Sequence, residues 1–132
     1  MIGLDTNLLI RFLVRDDENQ AQVIRTLLIE AEEKNETFFV PISVTLEVIW
    51  VLSSAYGYSK DEIVKALGGL LVLPTIVMEE HDRIARLCRL ASRYTAGLAD
   101  ILIGLSAHDN GCSTMLTFDK KAAQSDFFTL IG

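Results

Sequence analysis

Three long stretches of this chain carry a single charge each, and in all three it is a carboxylate. Between Met1 and Ile10 the only charged residue is Asp5, between Thr37 and Ser59 it is Glu47, and between Tyr94 and His108 it is Asp100. An unpaired carboxylate among apolar neighbours is costly to bury, so such groups end up paired, at a surface, or around a cation. Any fold available to this sequence must therefore bury three apolar segments while keeping one acid of each within reach of solvent, a partner or a metal.

The segments between these acids alternate in period. Met1–Leu4 reads as a short strand, Asp5-Thr6-Asn7 as the turn after it, and Leu8–Val14 as a helix. A second helix is expected from Glu18 to Lys34, with Ala21, Ile24, Leu27, Leu28 and Ala31 at helical spacing. Phe38–Val40 reads as a strand. Pro41 stands at the entry of a helix over Ser43–Ala55 that Gly57 stops. Ser59 with Glu62 is a capping box for a helix expected to fade at Gly68-Gly69. Leu73–Met78 suits a short edge strand because of Pro74. Glu79–Tyr94 and Leu98–Asp109 read as helices, separated by a break at Gly97. Ser113–Phe118 and Phe127–Ile131 read as strands either side of a helical turn over Asp119–Ala123. Strands alternating with helices imply an α/β fold with a mostly parallel sheet. No linker, repeat or low-complexity segment divides the 132 residues, so a single domain over 1–132 is expected.

In such a fold the first turns after the strands converge on one crevice. Asp5, Glu47 and Asp100 each lie near a strand end or early in a helix, and Asp119 follows the strand ending at Phe118. Four oxygen donors meeting there would suit Mg2+ or Mn2+. Each acid also has an ordinary explanation. Asp5 fits a helix cap, Glu47 an exposed helix position or a distant ion pair, Asp100 the first turn of a helix, and Asp119 a surface turn before Lys120-Lys121. The set is more specific than any member.

Charge and composition exclude several classes. Half the residues are hydrophobic, which argues against disorder. No run is long enough to cross a membrane, and the opening MIGLD lacks a leader pattern, so a cytoplasmic place is expected. Cys88 and Cys112 have no metal-type spacing and read as reduced thiols. A net charge of −6 argues against broad adhesion to nucleic acid and leaves room only for a local basic face. Arg11, one turn before Arg15 on the helix after Asp5, is one candidate RNA contact. Arg86 and Arg89, with Arg93, share one sector of the Glu79–Tyr94 helix and are others, though a solvated face is the simpler explanation. His81 and His108 read as solvated helix histidines. The helices around Ala21–Ala31 and Val44–Ala55 carry more apolar groups than one core face needs. Val48, Trp50, Val51, Leu52 and Tyr56 cannot all point one way, so either an interface or burial on several sides is expected.

Taken in order, LDTNLLIRFL, SVTLEVIWVL, GLADILIGLSAHDNGC and TMLTFDKK resemble the PIN-domain family over nearly the whole chain. The short size and the LDTNLLIRFL start are similar to the VapC-like toxins of VapBC toxin–antitoxin pairs. The resemblance implies a three-layer α/β/α sandwich with a central parallel sheet and a Mg2+- or Mn2+-dependent endoribonuclease. It puts the catalytic, metal-binding acids at Asp5, Glu47, Asp100 and Asp119, with supporting polar groups at Thr6, Asn7 and Thr117. It also implies an RNA substrate, a cognate antitoxin and a homodimer. A metal-activated water would leave a 5′-phosphate and a 3′-hydroxyl. Two other readings stand beside it. One is a PIN-like RNA- or protein-binding module without catalysis. The other is a phosphatase using the aspartate after the first strand, which Asp5-Thr6-Asn7-Leu8-Leu9 disfavours because it lacks a companion aspartate or lysine.

Overall fold

The computed structural model describes residues 1–132. In chain order the elements are β1 (Ile2–Gly3), α1 (Thr6–Val14), α2 (Glu18–Glu33), β2 (Phe38–Val40), α3 (Ile42–Ser54), α4 (Lys60–Leu71), β3 (Ile76–Met78), α5 (His81–Leu90), α6 (Leu98–Asp109), β4 (Met115–Thr117) and β5 (Phe128–Leu130). Short 3-10 turns occupy Ala91–Arg93 and Ala122–Gln124.

Every strand pairing is parallel, as the alternation of strands and helices requires. The strands fall into two sheets, β1-β2-β3 and β4-β5, rather than one continuous ladder. The reason at β1 is length. Only Ile2 and Gly3 pair with Phe38 and Phe39, and one residue after Leu4 the chain has already become the cap of a helix. The proline-containing segment ends in β3, which lies at an edge as expected.

Helices pack against these strands as an α/β sandwich. α2 contacts α1, α1 contacts α3, α3 contacts α6, and α6 contacts α5, which leads to α4 and back to β3. One core runs through them, with Val40, Val48, Leu52, Leu67, Ile84, Leu87 and Ile101 fully buried. Each such aliphatic side chain contributes about 1.5–3 kcal/mol by leaving water. The apolar surplus of α3 resolves mostly inward. Val48, Ile49 and Leu52 are buried and Val51 is half-buried, which leaves Trp50 alone in solvent.

Several element bounds differ from the sequence reading. α1 begins at Thr6 rather than Leu8, because an Asp5 carboxylate oxygen accepts the Leu8 amide at 2.9 Å and draws Thr6 and Asn7 into the first turn. α4 continues through Gly68 and Gly69 to Leu71, held by buried Leu67 and Leu70 on its inner face. Packing outweighs the roughly 1 kcal/mol that a helical glycine costs relative to alanine. α5 ends at Leu90 and tightens into a 3-10 turn, so Arg93 leaves the sector of Arg86 and Arg89. α6 approaches the chain before β5 closely at Gly104, where a Cβ would lie 2.5 Å from the Phe127 Cβ.

Candidate active site

The four acids are held in different ways. Asp5 caps α1 through Oδ1 alone. Glu47 sits in the middle of α3 on its exposed side, where Thr6 Oγ1 donates to its Oε1 at 3.0 Å across 41 residues of sequence. That bond ties the start of α1 to α3. Asp100 lies in the first turn of α6, half-buried, and its carboxylate takes part in no hydrogen bond. Asp119 follows β4, and its Oδ1 accepts the amides of Lys121 and Ala122 at 2.8 and 3.2 Å. Its own amide donates to Thr117 Oγ1 at 2.9 Å. Two of the three supporting polar residues thus touch the acids or their backbone. The third, Asn7, lines a hollow of about 370 Å3 together with Asp5, Leu8, Arg11 and Gln20 between α1 and α2.

The acids come together in pairs. Glu47 and the α1 start are joined through Thr6. Asp100 and Asp119 feel each other's charge: burial chiefly, and then Asp119, hold the Asp100 carboxyl above its usual pKa, with Lys121 pulling the other way. Glu47 shares an apolar hollow with Ala99, the residue before Asp100. No three acidic, histidine or cysteine side chains gather at metal-binding distance. Asp5 follows β1 and Asp119 follows β4, and those strands belong to different sheets.

The donor chemistry nonetheless fits a hard divalent cation. All four groups are carboxylates, and none is in an ion pair. Each keeps at least one oxygen free of any hydrogen bond, with only Oδ1 or Oε1 engaged at Asp5, Glu47 and Asp119 and neither oxygen at Asp100. Two other acids are spent on arginine. Asp16 takes Arg11 at 2.8 Å and the Tyr56 hydroxyl at 3.0 Å. Asp109 takes Arg83 Nε at 2.8 Å and also Arg86.

Those pairs bear on the basic candidates. Arg11 is held by Asp16, and Arg86 is held by Asp109 at the α5–α6 contact, so neither guanidinium is free as it stands. Arg89 is exposed and in no ion pair. Two lysines take roles that no pattern in the chain marks. Lys60 Nζ donates to the carbonyls of Ala91, Tyr94 and Ala96 at 3.0, 2.7 and 2.7 Å, fixing the loop that leads into α6. Lys121 is exposed and close enough to Asp100 to lower its pKa. Both depend on contacts between distant segments. Only the dense charge around Asp119-Lys120-Lys121 was visible in the chain itself.

A PIN-domain family model matches residues 2–127. Among curated proteins, the chain is similar to a VapC ribonuclease of Aquifex aeolicus (strain VF5). The two are 24% identical over 127 residues, which cover 96% of this chain and 93% of the relative. The match therefore spans all four acids and every element that carries them.

Proposed function

The chain belongs to the PIN-domain family, and from that premise we propose that it is a Mg2+- or Mn2+-dependent endoribonuclease, the toxin of a VapBC-type toxin–antitoxin pair. The observation that carries this reading is the set of four unpaired carboxylates, each with a free oxygen, on four different segments of a PIN-domain chain. The name of the Aquifex relative supports ribonuclease activity and the toxin role.

In this reading Asp5, Asp100 and Asp119 hold the ion and Glu47 joins them or orients the attacking water. The ion, when bound, acidifies that water and offsets charge on the scissile phosphate. The chain's own groups do the positioning. Asp5 is fixed by the Leu8 amide, so its second oxygen has a set direction. Thr6 holds Glu47 by one oxygen and leaves the other to take a proton or a hydrogen bond from water. Asp119 is locked by two backbone amides and by Thr117. Asp100 is the strained member, since its charge is opposed by burial and by Asp119 until a cation arrives. No serine, cysteine or histidine is required as nucleophile. Arg89 and Lys121 are exposed cations in no ion pair that can meet the RNA backbone, and Arg11 and Arg86 join only by leaving their carboxylates. A cognate antitoxin, a homodimer and a cytoplasmic place complete the reading. No helix is long and apolar enough to cross a membrane.

The test is cleavage of labelled total RNA by purified, antitoxin-free protein with Mg2+ or Mn2+, beside EDTA and the Asp5→Asn and Asp100→Asn variants. Metal-dependent cutting that both substitutions abolish is expected. Cutting that survives EDTA would end the metal-dependent reading. Metal-independent RNA binding without cutting would favour a binding module.

A further inference from the structure

Trp50 is the chain's single tryptophan, and it is 66% exposed on a helix whose neighbours Val48, Ile49 and Leu52 are buried. It stands three residues after Glu47, so the two side chains share one face of α3. Trp50 lines two hollows. One, of about 300 Å3, is walled by Leu46, Glu47, Ala99 and the partly exposed Ile103. The other, of about 270 Å3, includes Ser53, Thr95 and Lys121. Volumes near 300 Å3 are at the small end of ligand sites. The second hollow also contains Lys60, but that ammonium is spent on three carbonyls, so Lys121 supplies its free positive charge.

We propose that Trp50 is a substrate-positioning residue, a stacking platform on which a nucleobase of single-stranded RNA rests while Lys121 meets a neighbouring phosphate. This rests on the nuclease reading above. An exposed indole accepts any base on its π face, and single-stranded RNA offers unstacked bases for that contact. Charge selects the occupant. On a chain of net charge −6, Lys121, exposed, in no ion pair and lining the same hollow as the indole, offers a local positive contact for the backbone of a polyanion.

Because Trp50 is the sole tryptophan, its fluorescence reports this site alone. The experiment adds a 5′-labelled single-stranded oligoribonucleotide to the Asp100→Asn protein with Mg2+, following tryptophan emission and label anisotropy together. Saturable quenching that tracks anisotropy is expected. Trp50→Ala should weaken RNA binding about 5- to 150-fold, the range for losing one base stack, while Trp50→Phe keeps most of it. In otherwise wild-type protein Trp50→Ala should raise KM more than it lowers kcat, with an unchanged melting temperature. RNA binding with unchanged emission and unchanged affinity in Trp50→Ala would overturn the proposal. So would a blue shift that grows with protein concentration before RNA is added, which would assign the face to a second copy. Failure of the wild-type protein to bind or cut RNA would overturn the nuclease reading itself, whereas cutting indifferent to Trp50 would overturn this inference alone.

Discussion

At the scale of single residues, charge placement separates two kinds of acid. Asp109 is spent on stability: Arg83 and then Arg86 hold its carboxyl below the usual value of 3.8. A group with a depressed folded pKa stabilises above its unfolded value and loses that contribution as pH falls through the folded one. Asp109→Asn is therefore expected to cost about 1 kcal/mol at neutral pH, at the upper end for a surface bridge, and almost nothing in strong acid. Urea unfolding at both pH values measures it. Asp100 is the opposite case. Its folded pKa is raised by burial and Asp119, so the ionised form costs stability at neutral pH, and that cost disappears on acidification. Asp100→Asn should raise the melting temperature of metal-free protein by about 1–2 °C after allowance for solvent screening, while abolishing metal-dependent activity. A lowered melting point would mean that Asp100 is structural. The three lone acids were legible because their neighbours are apolar, a one-dimensional property. The pairing of Arg11 with Asp16 and of Arg86 with Asp109 was not, because helix spacing shows which way an arginine points but not what faces it from another element.

At the scale of elements, the site depends on how the chain enters α6. Three carbonyls of residues 91–96 converge on the Lys60 ammonium, whose own pKa is lowered chiefly by burial. Lys60→Met would leave those carbonyls without their donor, at a cost of about 1–3 kcal/mol. Faster amide exchange at residues 91–97 in that variant, ahead of any change in α2, is the expected signature. Further along α6, Gly104→Ala would drive a methyl into Phe127 and separate the helix from the segment entering β5. A loss of about 1–3 kcal/mol is expected by denaturant titration. Existence and order of the elements were legible from periodicity and caps, as at Ser59 and Glu62. Their ends were less so, since tertiary contact decides them. Buried Leu67 and Leu70 carry α4 across two glycines, and one cap bond at Asp5 moves the start of α1 by two residues.

At the scale of the whole molecule, the proposed function requires an acidic protein to hold an anionic substrate. The parallel strands, the helices packed on them and the order of the four acids were all foreshadowed by alternating periods. The division into two sheets was not, because strand pairing beyond neighbours leaves no mark on a two-residue strand. Thr6, the residue after Asp5, bonds Glu47, and Asp119 raises the Asp100 pKa, which links the acids as two pairs. The central claim is that these pairs act as one metal site. It is tested most directly by calorimetric Mn2+ titration of the wild type and of Asp5→Asn, Glu47→Gln, Asp100→Asn and Asp119→Asn, with RNA cleavage measured on the same samples. Parallel loss of metal affinity, by roughly 10-fold or more, and of cleavage in all four variants is predicted. Undiminished Mn2+ affinity in the Asp5 and Glu47 variants, with loss only at Asp100 and Asp119, would contradict a single site spanning the two sheets.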